Sequence, residues 1–176
     1  MTPQLIITQI VIVIIGVYLA FTENKKGIYL VTFLFNLGTF IMYMLNHDSG
    51  AAISAALLSV RAFIYIYREQ LKIRMGKFGA IIPIFFILLH IVLGGIALET
   101  PWQLLCIAAP VLTTAYMWWG HNTQDLRAGN FIAYGMWALY EAVTGLYIVM
   151  ASDLVQTVIF GVAFIMNLKS QKNPEN

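Results

Sequence analysis

The chain has 176 residues, of which 60% are hydrophobic and only 10% charged, and its formal net charge is +2. That is far more apolar surface than a soluble domain of this size buries in one core, so the composition excludes an ordinary water-soluble enzyme and points to an integral membrane protein. The single cysteine, Cys106, excludes an intrachain disulfide, and its place in an apolar run suits inert packing better than chemistry.

Apolar runs of roughly the length that crosses a hydrocarbon core predict helices near 3–21, 27–46, 50–68, 79–98, 101–119, 128–150 and 153–168. The first begins at Pro3 with no Lys or Arg before it and no small-residue cleavage site after it, so it reads as a retained span and not a signal peptide. The breaks at 22–27, 46–50, 68–77, 99–101, 120–127 and 151–153 are short, with Gly or Pro where several of them turn. With the N-terminus taken as outside, Lys25, Lys26, Arg68, Lys72, Arg74, Lys77, Arg127, Lys169 and Lys172 all fall on the inner side. The outer breaks hold only the acids Asp48, Glu99 and Asp153. This one-sided split follows the positive-inside rule and predicts seven spans, N-terminus outside and C-terminus inside. The basic cluster from Arg68 to Lys77 also suits anionic lipid at the cytoplasmic surface.

Shifting the chain by 97 residues lays Gly38, Phe40 and Tyr43 over Gly135, Trp137 and Tyr140. The same shift lays spans 1 to 3 over spans 5 to 7 and leaves span 4 as a connector, a parallel repeat because each half has an odd number of spans. The expected organisation is one transmembrane domain: a first three-helix repeat over 1–72, a linker helix over 73–99, a second repeat over 100–170 and a short cytoplasmic tail over 171–176.

A 3+1+3 arrangement of this kind resembles the SWEET sugar transporters and their PQ-loop relatives. More closely, the chain resembles the YgjV-type bacterial inner-membrane proteins through Ser49-Gly-Ala-Ala with Ser59-Val-Arg61, Trp102-Gln-Leu-Leu105 leading to Thr113-Thr-Ala-Tyr116, Asp125-Leu-Arg127, and Trp137-Ala-Leu-Tyr140 followed by Gly145. The resemblance implies an all-α bundle in the bacterial inner membrane. It departs from the SWEET pattern in its prolines and asparagines: Pro3 is too shallow for a mid-span hinge, Pro110 alone lies near the middle of span 5, and Ser59 and Gln156 stand where paired asparagines would be. A sugar is therefore a poor expectation, and a smaller or charged solute a better one.

Arg61 interrupts the third apolar run and needs a partner, a watery cavity or a route out. Counted down the helices from the outer breaks, Arg61 and Glu141 are expected at matching depth near the midplane, with His90 slightly shallower. Three readings follow: Arg61 pairs with Glu141 as part of a substrate site, the two form a structural clamp, or Arg61 snorkels toward the inner surface. Glu141 and, more weakly, His90 are candidate proton carriers. Phe40, Tyr43, Trp137 and Tyr140 are related by the repeat and offer stacking surfaces, with Asn36, Ser59 and Gln156 as polar partners. Trp102, Trp118 and Trp119 fall near helix ends as interfacial anchors. Glycines such as Gly94, Gly95 and Gly161 suit close helix contact.

His47 and His121 lie in loops on opposite sides, so no histidine cluster for a metal is expected, and no cofactor. No hydrolase or phosphate-loop motif stands in the chain, and no nucleic-acid partner is expected. The expected function is a small-molecule transporter or facilitator, working by alternating access between the two repeats. Its partners would be lipids and a small polar or anionic molecule, with a monomer or a homo-oligomer both open. The alternative is a non-transporting interaction or assembly protein in which Arg61 and Glu141 only lock the fold.

Overall fold

A computed structural model describes residues 3–22, 24–45, 49–96, 98 and 100–172. His47, Asp48, Glu99 and the end of the expected tail, 173–176, lie outside the described residues. The described chain is helical, with no strand: α1 (Pro3–Phe21), α2 (Lys25–Leu45), α3 (Ser49–Tyr65), α4 (Arg68–Met75), α5 (Ile81–Ile96), α6 (Leu104–Trp119), α7 (Thr123–Thr144) and α8 (Tyr147–Lys172). Short 3-10 turns, Gly76–Ala80 and Pro101–Gln103, lead into α5 and α6. The seven long helices follow the seven apolar runs. Among the described residues, Lys26–Leu45, Arg68–Ile96 and Val149–Met166 are long and apolar enough to cross a membrane, while Ile6–Phe21 and Ala51–Tyr65 are shorter apolar helices.

Two boundaries differ from expectation. The break at 68–77 contains α4, because Arg-Glu-Gln-Leu-Lys-Ile-Arg-Met is made of good helix formers with Glu69 in the first turn and Arg74 in the last. The expected repeat boundary at 72–73 therefore falls within a helix. The sixth run ends at Thr144 and not at 150, because Gly145 adopts a left-handed φ of 79° and its N–H returns to the Glu141 carbonyl. Tyr147 then opens α8, which carries Asp153 inside a helix where a loop acid was expected. At the other end of α7 the turn is fixed by a reciprocal cap: the Asp125 N–H donates to Asn122 Oδ1 at 2.8 Å, and Asp125 Oδ2 receives the Asn122 N–H at 3.4 Å.

The packing order follows the chain. α1 lies against α2 and α8, α2 against α3, α3 against α6, α6 against α7 and α7 against α8, while α5 lies outside this ring against α3 and α6. Across the ring, α2 and α7 meet through aromatic rings, with centroids 5.3 Å apart for Phe35 and Tyr134 and 6.1 Å for Tyr43 and Trp137. The outward faces are apolar, as Ile7, Ile14, Phe85, Leu88, Val158 and Val162 illustrate, which suits lipid contact. Small residues let the helices close: a Cβ on Gly94 would overlap Ile107 of α6, one on Gly129 would overlap Tyr116, and one on Gly161 would press on Phe131.

Candidate functional site

Arg61 is held by α6. It is 1% exposed, so the snorkelling reading does not describe it. Its Nη1 donates to the Pro110 carbonyl at 3.2 Å, to Thr113 Oγ1 at 3.0 Å and to Thr114 Oγ1 at 2.6 Å, and Nη2 reaches Met117 Sδ at 3.2 Å. The two threonine hydroxyls can accept because each passes its own proton back to a carbonyl one turn earlier. The Arg61 Cζ also lies 5.9 Å from the centre of the Tyr65 ring.

Glu141 has a different partner, the Tyr43 hydroxyl, which donates to Oε1 at 2.8 Å. The matching depth inferred for Arg61 and Glu141 does not hold, because α7 ends at Thr144. Glu141 lies within about 5 Å of that end, whereas Arg61 lies about 18 Å along α3 from the adjacent end at Ser49. Neither the pair nor the clamp between these two charges forms here. Tyr43 and Glu141 instead tie α2 to α7 near the ends of both helices, in a region where Asp153 is also buried.

The other expected residues divide. Trp137 packs on Tyr43 and, with ring centres 6.0 Å apart, on Tyr140, so the aromatics contact one another. Phe40 borders the core cluster. Gln156 is fully buried in α8, and its Nε2 reaches the Ile12 carbonyl at 3.5 Å and the Val13 carbonyl at 3.4 Å. Asn36 and Ser59 are buried, and neither Asn36 Nδ2 nor Ser59 Oγ has a hydrogen-bond partner. His90 is 3% exposed, donates from Nδ1 to the Phe86 carbonyl at 2.7 Å, and leaves Nε2 without a partner. Trp102 and Trp119 are exposed as anchors would be, but Trp118 is 2% exposed and belongs to the core.

At the opposite end from Glu141, buried cations cap helices. Arg68 is 2% exposed; its Nε donates to the Trp118 carbonyl at 3.0 Å and its Nη2 to the Gly120 carbonyl at 3.0 Å, and Lys72 Nζ joins at Trp118 at 2.9 Å. Arg127, 4% exposed, donates from Nε to the Ala20 carbonyl at 2.9 Å. Each satisfies a carbonyl in the last turn of a helix, α6 or α1, where the dipole favours positive charge. Arg68 and Lys72 thus do structural duty beyond the topology signal read from the sequence.

The accepting carbonyls of four of these contacts form two pairs at one spacing. Gln156 and Arg61 donate to carbonyls of Val13 and Pro110, which are 97 residues apart. Arg127 and Tyr29 donate to carbonyls of Ala20 and Met117, again 97 apart, the Tyr29 bond measuring 3.0 Å. Sequence reasoning missed the acceptors on α6, Thr113 and Thr114, and the burial of Asp153. Two adjacent hydroxyl residues in an apolar run were the available signal for the first, and Gly145 as a helix stop for the second.

A shallow groove lined by Ala115, Tyr116, Trp119, Gly120 and Asp125 lies at the α6–α7 turn, away from Arg61 and Glu141. Among the described residues no group of three or more His, Cys, Asp or Glu side chains is placed to hold a metal ion.

No curated protein and no solved structure matches this chain. A sequence model of the Imp-YgjV family, described as bacterial inner membrane protein, matches residues 2–171. With nearly its whole length matched and its helices apolar on their outer faces, the chain belongs to the Imp-YgjV family of multi-pass bacterial inner membrane proteins.

Proposed function

We propose that this protein is a small-molecule transporter or facilitator built from two parallel three-helix halves, α1–α3 and α6–α8. α4 and α5 connect them, the N-terminus is outside, and the halves rock about the membrane midplane. The observation that carries the reading is the 97-residue spacing of the carbonyls that accept bonds between halves, Val13 with Pro110 and Ala20 with Met117. Side chains of one half hold main-chain carbonyls of the other, with the acceptors 97 residues apart and the donors offset, Gln156 from Arg61 by 95 and Arg127 from Tyr29 by 98.

The position of the buried polar groups adds to it. Asn36 Nδ2, Ser59 Oγ and Gln156 Oε1 lie near the middles of α2, α3 and α8 without partners. Unsatisfied groups in hydrocarbon are costly and are retained where another conformation or a solute satisfies them. The contacts of Tyr43 with Glu141 and of Arg127 with Ala20 close the two ends of the bundle, so this conformation reads as an occluded one. The reading assigns no catalytic step to the chain.

The rival, a purely structural bundle, draws on the several bonds that fix Arg61 to α6. Side-resolved labelling separates the two. With Cys106→Ser as background, Ser59→Cys in sealed vesicles of either orientation is exposed to a membrane-impermeant maleimide. Labelling from both sides is expected for alternating access; protection from both sides supports the structural bundle.

A further inference from the structure

Arg61 is a buried cation whose partners are neutral: a carbonyl, two hydroxyls and a thioether. The ionisable side chains close enough to act on it are the phenols of Tyr65, Tyr134 and Tyr29 and the imidazole of His90, and no described carboxylate is among its partners. A fixed positive charge in a low-dielectric interior calls for a negative one.

The two edges of the guanidinium are used unequally. Nη1 meets three oxygens of α6. The other edge, formed by Nε and Nη2, is the fork that receives a carboxylate through two parallel bonds. Here Nε has no partner and Nη2 meets only the Met117 sulfur, a weak acceptor. The Tyr65 hydroxyl on the same helix is also buried without a partner. Met117 is a buried core side chain, and being unbranched beyond Cβ with three rotatable bonds it is the most adaptable of the groups around Arg61.

We infer that the Nε–Nη2 edge of Arg61 is a binding site for a small carboxylate, which displaces the Met117 thioether and supplies the missing counter-charge. The inference rests on the transporter reading only for its use: it names the solute class that the midplane would carry. The bonds to Pro110, Thr113 and Thr114 hold the guanidinium plane while the fork changes partner.

Acetate is the probe. The full chain, purified in detergent, is titrated with sodium acetate at constant ionic strength set with sodium chloride. Thermal unfolding and the line broadening of 13C-acetate are both followed. A saturable rise in Tm with matching broadening is expected, along with affinity at least about tenfold weaker in Arg61→Lys, which keeps the charge and loses the fork. Absence of saturable broadening with the parent chain overturns the site, and that result depends on no variant folding. An equal response to chloride or phosphate, or undiminished affinity in Arg61→Lys, also overturns it. Acetate binding without side-resolved labelling at Ser59→Cys would keep the site and remove transport, whereas labelling without acetate binding would do the reverse.

Discussion

The Tyr43 hydroxyl donates to Glu141 Oε1 at 2.8 Å, joining the last turn of α2 to the last turn of α7. Both residues are buried, at 1% and 0% exposure, so this bond to an acidic side chain is shielded from competing water. Removing the hydroxyl alone, with Tyr43→Phe, is expected to cost about 1–3 kcal/mol of stability. Glu141→Gln keeps an acceptor and is expected to cost less. Denaturant unfolding in mixed micelles gives both values, and a larger loss for Glu141→Gln would show that the Tyr43 contact is not the main one.

Gly16 and Gln156 form the corresponding close approach between α1 and α8. A Cβ on Gly16 would land on the Gln156 side-chain amide, which is fully buried and holds the Ile12 and Val13 carbonyls. Gly16→Ala is therefore expected to destabilise by about 1–3 kcal/mol through overpacking. Adding Gln156→Ala should recover part of that loss, because the overlapping atoms are gone. A double-mutant cycle with no coupling between the two positions would contradict the contact.

The α6 end has two donors on one carbonyl. Arg68 and Lys72 both reach the Trp118 oxygen. Lys72→Ala should be mild, Arg68→Ala larger because the Gly120 carbonyl also loses its donor, and the double variant worse than the sum of the two. Hydrogen exchange at the α6–α7 turn reads the effect locally, as faster exchange of the Gly120 amide.

The orientation has its own test. With Cys106→Ser as background, a cysteine at Lys77 is expected to react with an impermeant maleimide only from the cytoplasmic side, and one at Leu98 only from the other. Both positions are exposed in the structure. The reverse pattern would invert the topology drawn from the basic residues.

The run of helices was legible because span length is set by the bilayer itself: an apolar run must be long enough to cross. Local backbone chemistry was less legible. Asp153 read as a loop residue because it is acidic, and that choice moved the end of α7 past Gly145 and placed Glu141 too deep. The partner of Arg61 was misread for a related reason. Opposite charge suggests a salt bridge, whereas carbonyls and hydroxyls of Pro110, Thr113 and Thr114 carry no charge label in a sequence. The 97-residue offset expected from Gly38, Phe40 and Tyr43 against Gly135, Trp137 and Tyr140 also separates the acceptor carbonyls of Val13 and Pro110, which lie elsewhere and which any residue type could supply.

The central claim is that two equivalent halves move against each other. Spin labels placed in pairs on exposed positions test it most directly: Phe21 with Trp119 at one end, and Leu45 with Val143 at the other, all in the Cys106→Ser background. Pulsed electron-electron distance measurements in lipid nanodiscs are expected to give two populations for each pair, with the wide population at one end growing as that at the other shrinks when acetate is added. A single narrow distance at both ends, unchanged by acetate, would contradict the account.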